Sequence, residues 1–166
     1  MKRLLIVRHA KSSWDYPELR DIDRPLNKRG KRNAPEMGRR LAQRGISPDI
    51  LISSPAKRAW STAKRLAEAL GYDLGKIKIE QNLYHGTVND ISDIIRSMDN
   101  SMNTIMIFGH NPDLTTFTNK LSGSDIYNIP TCGIAEIQFE ISSWEEIVSG
   151  KGILKSFDYP KKALSY

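Results

Sequence analysis

The chain has 166 residues, 39% of them hydrophobic and 27% charged, a composition typical of a globular protein and unlike that of disordered chains. We expect one domain covering residues 1–166. Its longest apolar stretches, such as 4–7 and 105–108, are too short to cross a bilayer, and no signal peptide is apparent before Arg8. A single cysteine, Cys132, excludes an internal disulfide and a multi-cysteine metal site. These features predict a cytoplasmic protein that does not contact membranes.

The formal net charge of +6 favours anionic partners, which include nucleic acid, anionic lipid and phosphorylated substrates. Lysines and arginines concentrate between Arg20 and Arg44, but acidic residues are mixed with them. No series of aromatic residues suited to base stacking accompanies this segment. A solvated helix face is therefore the favoured interpretation of the segment, and we expect no nucleic-acid partner.

The first half of the chain predicts two buried strands, each followed by a helix. Residues 4–7 form a short apolar run with β-branched members, which is typical of a strand buried on both faces. Apolar residues then repeat at helical spacing until Gly45 ends the pattern. A second strand is predicted at 49–52. A helix with Ser54 as its N-cap follows and continues to Leu70.

The second half predicts four more strands and two more helices. The strands are expected at 76–80, 104–108, 134–141 and 153–159, and the helices at 90–98 and 112–121. Strands that alternate with helices indicate an α/β fold with three α/β/α layers and a mostly parallel central sheet. In such sheets, ligands bind beyond the carboxyl ends of the strands.

Chemically active side chains follow three of the predicted strands. Arg8 and His9 come directly after the first strand, and His110 follows the strand at 104–108. Arg58 lies in the first turn of the helix after the second strand. Because the carboxyl ends of parallel strands meet at one edge, we expect these four side chains to converge there.

This combination of residues suits a phosphoryl group. Guanidinium groups pair bidentately with phosphate oxygens, so Arg8 and Arg58 are the expected clamps. A neutral imidazole can attack phosphorus, and His9 is the candidate nucleophile. His110 would donate hydrogen bonds to the equatorial oxygens of the transition state. This chemistry requires no metal and no cofactor.

A zinc site formed by His9, His85 and His110 is the alternative for the histidines. Two nearby arginines would repel a divalent cation, and no acidic residue adjoins His9 or His110 to orient it as a ligand. Taken singly, each histidine or arginine would more often be structural or solvent-facing. Their coincidence at one sheet edge favours catalysis.

Four segments of the chain resemble the histidine phosphatase superfamily, in particular its SixA-like phosphohistidine phosphatase branch. They are residues 4–12, 23–30, 53–58 and 109–112, which contain the sequences LLIVRHAKS, DRPL with a later glycine, SSPAKR and GHNP. The resemblance implies a phosphoglycerate mutase-like fold and a phosphorylated His9. It also implies a phosphate pocket formed by Arg8, Arg58 and His110, with residues 130–133 in a loop near it.

The chain departs from the family pattern at three places. Ala10 stands where glycine is usual, and Asp15 stands where mutase-like members have asparagine. Mutase-like relatives also carry an acidic glutamate in the segment that here spans residues 82–86, where no carboxylate occurs. Glu80, Asp23 and His85 could replace this general acid, and His85 is the favoured substrate-contacting substitute.

The missing acid bears on the substrate. Alkoxide leaving groups require protonation, whereas the imidazole of a phosphoramidate leaves with less assistance. The first hypothesis is therefore a phosphatase for phosphohistidine in a protein substrate. A phosphatase for small phosphate monoesters is the second hypothesis, and a non-catalytic module that binds phosphate or nucleic acid is the third.

Overall fold

The structure, a computed structural model, describes residues 1–162. Six strands and five helices are found in this range. The strands are β1 (Lys2–Arg8), β2 (Ile50–Ser53), β3 (Lys78–Ile79), β4 (Thr104–Gly109), β5 (Ile134–Phe139) and β6 (Ile153–Asp158). The helices are α1 (Lys28–Gln43), α2 (Lys57–Leu70), α3 (Asn82–His85), α4 (Val88–Arg96) and α5 (Asp113–Ser122).

The strands form one sheet in the order β3-β2-β4-β1-β5-β6. β1 pairs in parallel with β4, and β2 pairs in parallel with both β4 and β3. Only β5 runs against its neighbours in the described sheet. This mostly parallel arrangement confirms the predicted fold class. It also brings the carboxyl ends of β1, β2 and β4 together at one edge.

Helices cover both faces of the sheet because the central strands are apolar on both sides. On one face, Leu5, Leu51 and Met106 pack against α1 and α2. On the other face, Leu4 and Ile107 pack against α4 and α5. All five of these strand side chains are fully buried. The two cores fix the three layers and hold the strand ends that carry the site.

Helix starts differ from the predictions in two places. α2 begins at Lys57, because the hydroxyl of Ser54 accepts from the N–H of Ala56 in a turn that precedes the helix. α4 begins earlier than predicted because Thr87 caps it through a reciprocal pair of contacts with Asp90. The short helix α3 was not predicted. None of the helices within residues 1–162 is long and apolar enough to cross a membrane.

A close backbone approach fixes the loop that follows β1. The N–H of Asn27 donates to the carbonyl of Lys11, and the N–H of Ser13 donates to the carbonyl of Pro25. A Cβ atom on Gly30 would lie 2.2 Å from that same Lys11 carbonyl oxygen. Glycine is therefore required in the first turn of α1, where the helix supports the loop after His9.

Candidate active site

A cavity of about 250 Å³ opens at the carboxyl edge of the parallel strands. Backbone hydrogen bonds hold its floor: the N–H of His9 donates to the carbonyl of Gly109, and the N–H of Ser54 donates to that of Phe108. The residues lining the cavity are Arg8, His9, Lys11, Ser12, Trp14, Arg24, Arg58, His110, Asn111 and Thr131. The four side chains predicted to converge all line it.

The orientation of the His9 ring is set by one hydrogen bond. Its Nδ1 lies 2.8 Å from the carbonyl oxygen of Ala10. A carbonyl can only accept, so Nδ1 carries the proton and Nε2 presents its lone pair. His9 is 8% exposed. The backbone N–H of Ala10 in turn donates to Thr62 of α2, which holds the segment in place.

His110 lies beside His9, with 5.2 Å between the ring centroids. Its Nε2 is 2.8 Å from the hydroxyl of Ser54. Its Nδ1 is buried and has no hydrogen-bond partner within residues 1–162. A buried polar atom without a partner is costly, which makes Nδ1 an atom whose hydrogen bond is still to be supplied.

Both imidazoles are held neutral. Burial lowers the pKa of His9 from 6.5 to about 4, and the positive charges of Arg58 and Arg8 act in the same direction. Burial lowers the pKa of His110 to about 3, with a further contribution from His9. At neutral pH the lone pair of His9 is therefore free to act as a nucleophile.

The low pKa of His9 predicts acid sensitivity of the fold. The unfolded chain protonates His9 below pH 6.5, whereas the folded protein does so only near pH 4, so the unfolded state binds more protons in this window. Stability is expected to fall as pH falls, and His9 alone accounts for about 3 kcal/mol by pH 4. Thermal unfolding of wild type and His9→Asn at pH 7 and pH 4 measures the contribution of His9 to this loss of stability, which should be smaller in the variant. Equal losses in the two proteins would contradict it.

Two arginines line the cavity from different elements. Arg8 ends β1, and its guanidinium donates to the carbonyl of Ile129 at 2.9 Å. Arg58 lies in the first turn of α2 and donates to both the carbonyl and the carboxylate of Asp21, at 2.8 and 3.0 Å. Asp21 thus fixes the direction of the guanidinium of Arg58, a residue that is 7% exposed.

Asp21 joins Arg58 to two further residues whose role was not predicted. Its carboxylate accepts from Arg24 at 3.2 Å and from the hydroxyl of Tyr84 at 2.6 Å. The hydrogen bond from Tyr84 and the neighbouring arginines lower the pKa of Asp21 to about 2. The recognised motif begins at Asp23 and does not include Asp21, and nothing in the sequence indicated that Asp21 meets α2 and Tyr84.

Arg24 is a third guanidinium in the cavity wall. It donates to the hydroxyl of Ser12 at 2.6 Å and to the carbonyl of Ser13 at 3.3 Å. Its guanidinium carbon lies 3.4 Å from the ring centroid of Trp14, which is 74% exposed. The motif around Arg24 was recognised in the sequence, but no function was assigned to this side chain.

The loop at 130–133 closes the site from the side of β5. Thr131 lines the cavity, and the N–H of Cys132 donates to the carbonyls of Arg8 and His9 at 3.1 and 3.0 Å. Cys132 has a φ of 61°, a conformation that is rare for residues other than glycine. This strained backbone aims the N–H at the strand end that carries the nucleophile.

The proposed substitutes for the general acid lie outside the cavity. His85 is exposed and stacks beside Tyr84, with 4.0 Å between ring centroids, so the structure does not bring it to the other four residues. Glu80, Asp23 and Asp15 do not line the cavity either. Within residues 1–162, no three histidine, cysteine or acidic side chains are grouped to hold a metal ion.

The model of the histidine phosphatase superfamily (branch 1) matches residues 4–103, which is more than half of the chain. The chain belongs to the histidine phosphatase superfamily. An uncharacterized chloroplastic protein of Arabidopsis thaliana is 34% identical over 161 residues, covering 91% of this chain and 73% of the plant protein. The family predicted from the four motifs is therefore confirmed.

Solved histidine phosphatase structures share the fold. A candidate phosphohistidine phosphatase SixA from Agrobacterium tumefaciens superposes with a TM-score of 0.81 at 27% identity, covering 96% of this chain and 98% of the other. The protein histidine phosphatase SixA in complex with tungstate gives a TM-score of 0.82 at 20% identity, covering 95% and 97%. Because its sequence is only 20% identical, the tungstate complex supports a shared fold and nothing more.

Proposed function

We propose that this histidine phosphatase hydrolyses phosphohistidine in a protein substrate through a covalent phospho-His9 intermediate, without a metal ion. The guanidinium groups of Arg8 and Arg58, with His110, face the space that a phosphoryl group would occupy. Nδ1 of His110 has no hydrogen-bond partner among the described residues and would bind one of the phosphoryl oxygens. The activity is assigned to the cytoplasm, in line with the one buried cysteine.

The reaction proceeds in two displacements. Nε2 of His9 forms a bond to phosphorus while the bond to the substrate nitrogen breaks, and the departing imidazole takes a proton from solvent. Water then attacks the phosphorus of phospho-His9, and inorganic phosphate leaves as Nε2 regains its lone pair. The arginines and His110 stabilise the equatorial oxygens in both transition states.

One observation carries the choice of substrate: no aspartate or glutamate is found among the described residues that line the cavity. The carboxylate joined to the site through Arg58 is that of Asp21. Its pKa of about 2 keeps it ionised at neutral pH, so it cannot donate a proton. A site without an acid favours a phosphoramidate, because an imidazole leaves more easily than an alkoxide.

The phosphate monoester hypothesis needs a proton donor that this geometry does not supply. His85 was the favoured donor, but it is exposed and lies outside the cavity lining. The third hypothesis, a binding module without catalysis, does not explain why His9 is oriented with a free Nε2 lone pair and held neutral. Hydrolysis of phosphohistidine accounts for both features.

A pair of peptides with the same sequence tests this proposal, one phosphorylated on histidine and the other on serine. We expect kcat/KM for the phosphohistidine peptide to exceed that for the phosphoserine peptide by about 10³-fold, the range that acid catalysis commonly contributes. The rate at which inorganic phosphate is released measures kcat/KM for both peptides. Comparable turnover of the two peptides would favour the monoester hypothesis, and turnover no faster than that of His9→Ala would refute the proposal.

A further inference from the structure

A second, larger groove of about 760 Å³ lies beside the active-site cavity. We call it the basic groove, because five of its lining residues are cationic and only one, Asp15, is acidic. The cationic residues come from the start of α1 and from the start of α2. They are Lys28, Arg29, Lys31, Arg32 and Lys57.

These five cations have no carboxylate partners within residues 1–162. The basic residues further along α1 behave differently. Arg39 pairs with Glu36, and Arg40 pairs with Asp158. The arginines in the second half of α1 thus form ion pairs, whereas the cations in its first half form none within residues 1–162. The first half of the helix therefore presents positive charge to the groove that no carboxylate neutralises.

The position of these charges opposes helix stability. The first turn of α1 contains no acidic residue, and Lys28 and Arg29 occupy its first two positions. Cations there face the positive end of the helix dipole and repel one another. Departures of this kind from local stability are expected at functional sites.

The basic groove and the cavity share one wall. Along the loop after β1, Ser12 and Trp14 line the cavity, whereas Ser13 and Asp15 line the groove. On α2, Lys57 lines the groove and the next residue lines the cavity. The groove is therefore within reach of the residues that flank a phosphohistidine bound in the cavity.

The loop that forms the shared wall also presents apolar side chains to solvent, both in the wall and in the adjoining part of the groove. Trp14 is 74% exposed, Tyr16 is 49% exposed and Leu19 is 38% exposed. Exposed aromatic side chains next to a charged surface are typical of protein interfaces. The wall can therefore contact apolar side chains of a partner while the groove contacts its acidic ones.

We propose that the basic groove binds an acidic segment that flanks the phosphohistidine of the protein substrate. This inference rests on the proposed function and adds to it the charge of the partner. An acidic protein segment is favoured over nucleic acid because the carboxylate of Asp15 lies in the groove. It would repel an unbroken row of phosphates, whereas a protein can place a neutral or basic residue opposite it.

Two phosphohistidine peptides test the inference, one with glutamate on the side of the groove and one with glutamine at the same positions. For the wild type, we expect kcat/KM to be roughly tenfold higher for the acidic peptide, mostly through KM, and the difference to shrink at 0.5 M salt. Equal kcat/KM values would overturn the inference but leave the proposed function intact. If neither peptide is turned over faster than by His9→Ala, the proposed function fails as well.

The variant Lys28→Gln/Arg32→Gln tests whether the preference for the acidic peptide depends on the basic groove. Glutamine has a similar helix propensity, so we expect no loss of Tm. The preference for the acidic peptide should fall to about threefold or less, while turnover of the glutamine peptide stays within about twofold of wild type. Lys120→Gln/Lys151→Gln is the matched control, because it removes two exposed charges that lie outside the groove. An unchanged preference in the first variant, or an equal loss in the control, would overturn the assignment.

Competition identifies the class of polyanion. A glutamate-rich peptide should inhibit turnover of the acidic substrate more strongly than an oligothymidylate of equal charge. Stronger inhibition by the oligothymidylate would overturn the choice of an acidic protein segment in favour of nucleic acid.

Discussion

Replacing His9 with asparagine is expected to reduce kcat for a phosphohistidine peptide by about 10⁴-fold or more, as loss of a nucleophile does in other covalent catalysts. The asparagine amide can still donate to the carbonyl of Ala10, so the local backbone keeps the partner that Nδ1 of His9 supplies. The amide has no lone pair able to attack phosphorus. Release of inorganic phosphate under single-turnover conditions measures the loss directly.

The same variant should lose the covalent intermediate. In wild type, alkaline quenching during turnover of radiolabelled substrate should leave phosphate on His9, because phosphohistidine resists base. His85→Ala is the matched histidine control: His85 is exposed and outside the cavity, so its kcat should stay within about twofold of wild type. Retention of more than about a tenth of the activity by His9→Asn would refute the assignment of the nucleophile.

Replacing Arg58 with lysine should lower kcat/KM by about 10²-fold, and replacement with glutamine by about 10³-fold. Lysine keeps a positive charge but cannot donate to Asp21 in two directions while also facing a phosphoryl oxygen. Glutamine loses the charge as well. Most of the effect should fall on kcat, because charge on the phosphoryl oxygens must be stabilised most strongly in the transition state.

Arg65→Lys supplies the matched control for this pair. Arg65 lies two turns further along α2, on the same side of the helix, and does not line the cavity. The kcat/KM of Arg65→Lys should equal that of wild type. The Tm values of Arg58→Lys, Arg58→Gln and Arg65→Lys show whether any of the substitutions affects folding. If Arg58→Lys matched wild type, a single positive charge would suffice and the proposed bidentate clamp would be refuted.

Much of the fold could be predicted from the chain because its strands and helices follow simple patterns. The run at 4–7 is apolar at every position, as expected of β1 at the centre of a covered sheet, and 105–108 repeats this pattern in β4. The start of α2 was harder to predict. Ser54 has the sequence context of an N-cap, but its hydroxyl is used in a turn and contacts His110 instead.

The site could be predicted where it depends on strand ends and could not where it depends on loops. Arg8 is the last residue of β1, and His9 and His110 directly follow β1 and β4, so the topology alone brings them together. Asp21 and Tyr84 meet only because a 3-10 turn and the unpredicted helix α3 place them against Arg58. No periodicity in the sequence encodes that contact between distant loops.

The buried thiol of Cys132 offers oxidants almost no thiolate to attack. It is the only cysteine in the chain, it is 0% exposed, and burial raises its pKa to about 12. Peroxides attack thiolates, and almost none of this thiol is deprotonated at neutral pH. With His9 as the proposed nucleophile, activity is expected to persist at peroxide concentrations that inactivate enzymes with a catalytic cysteine.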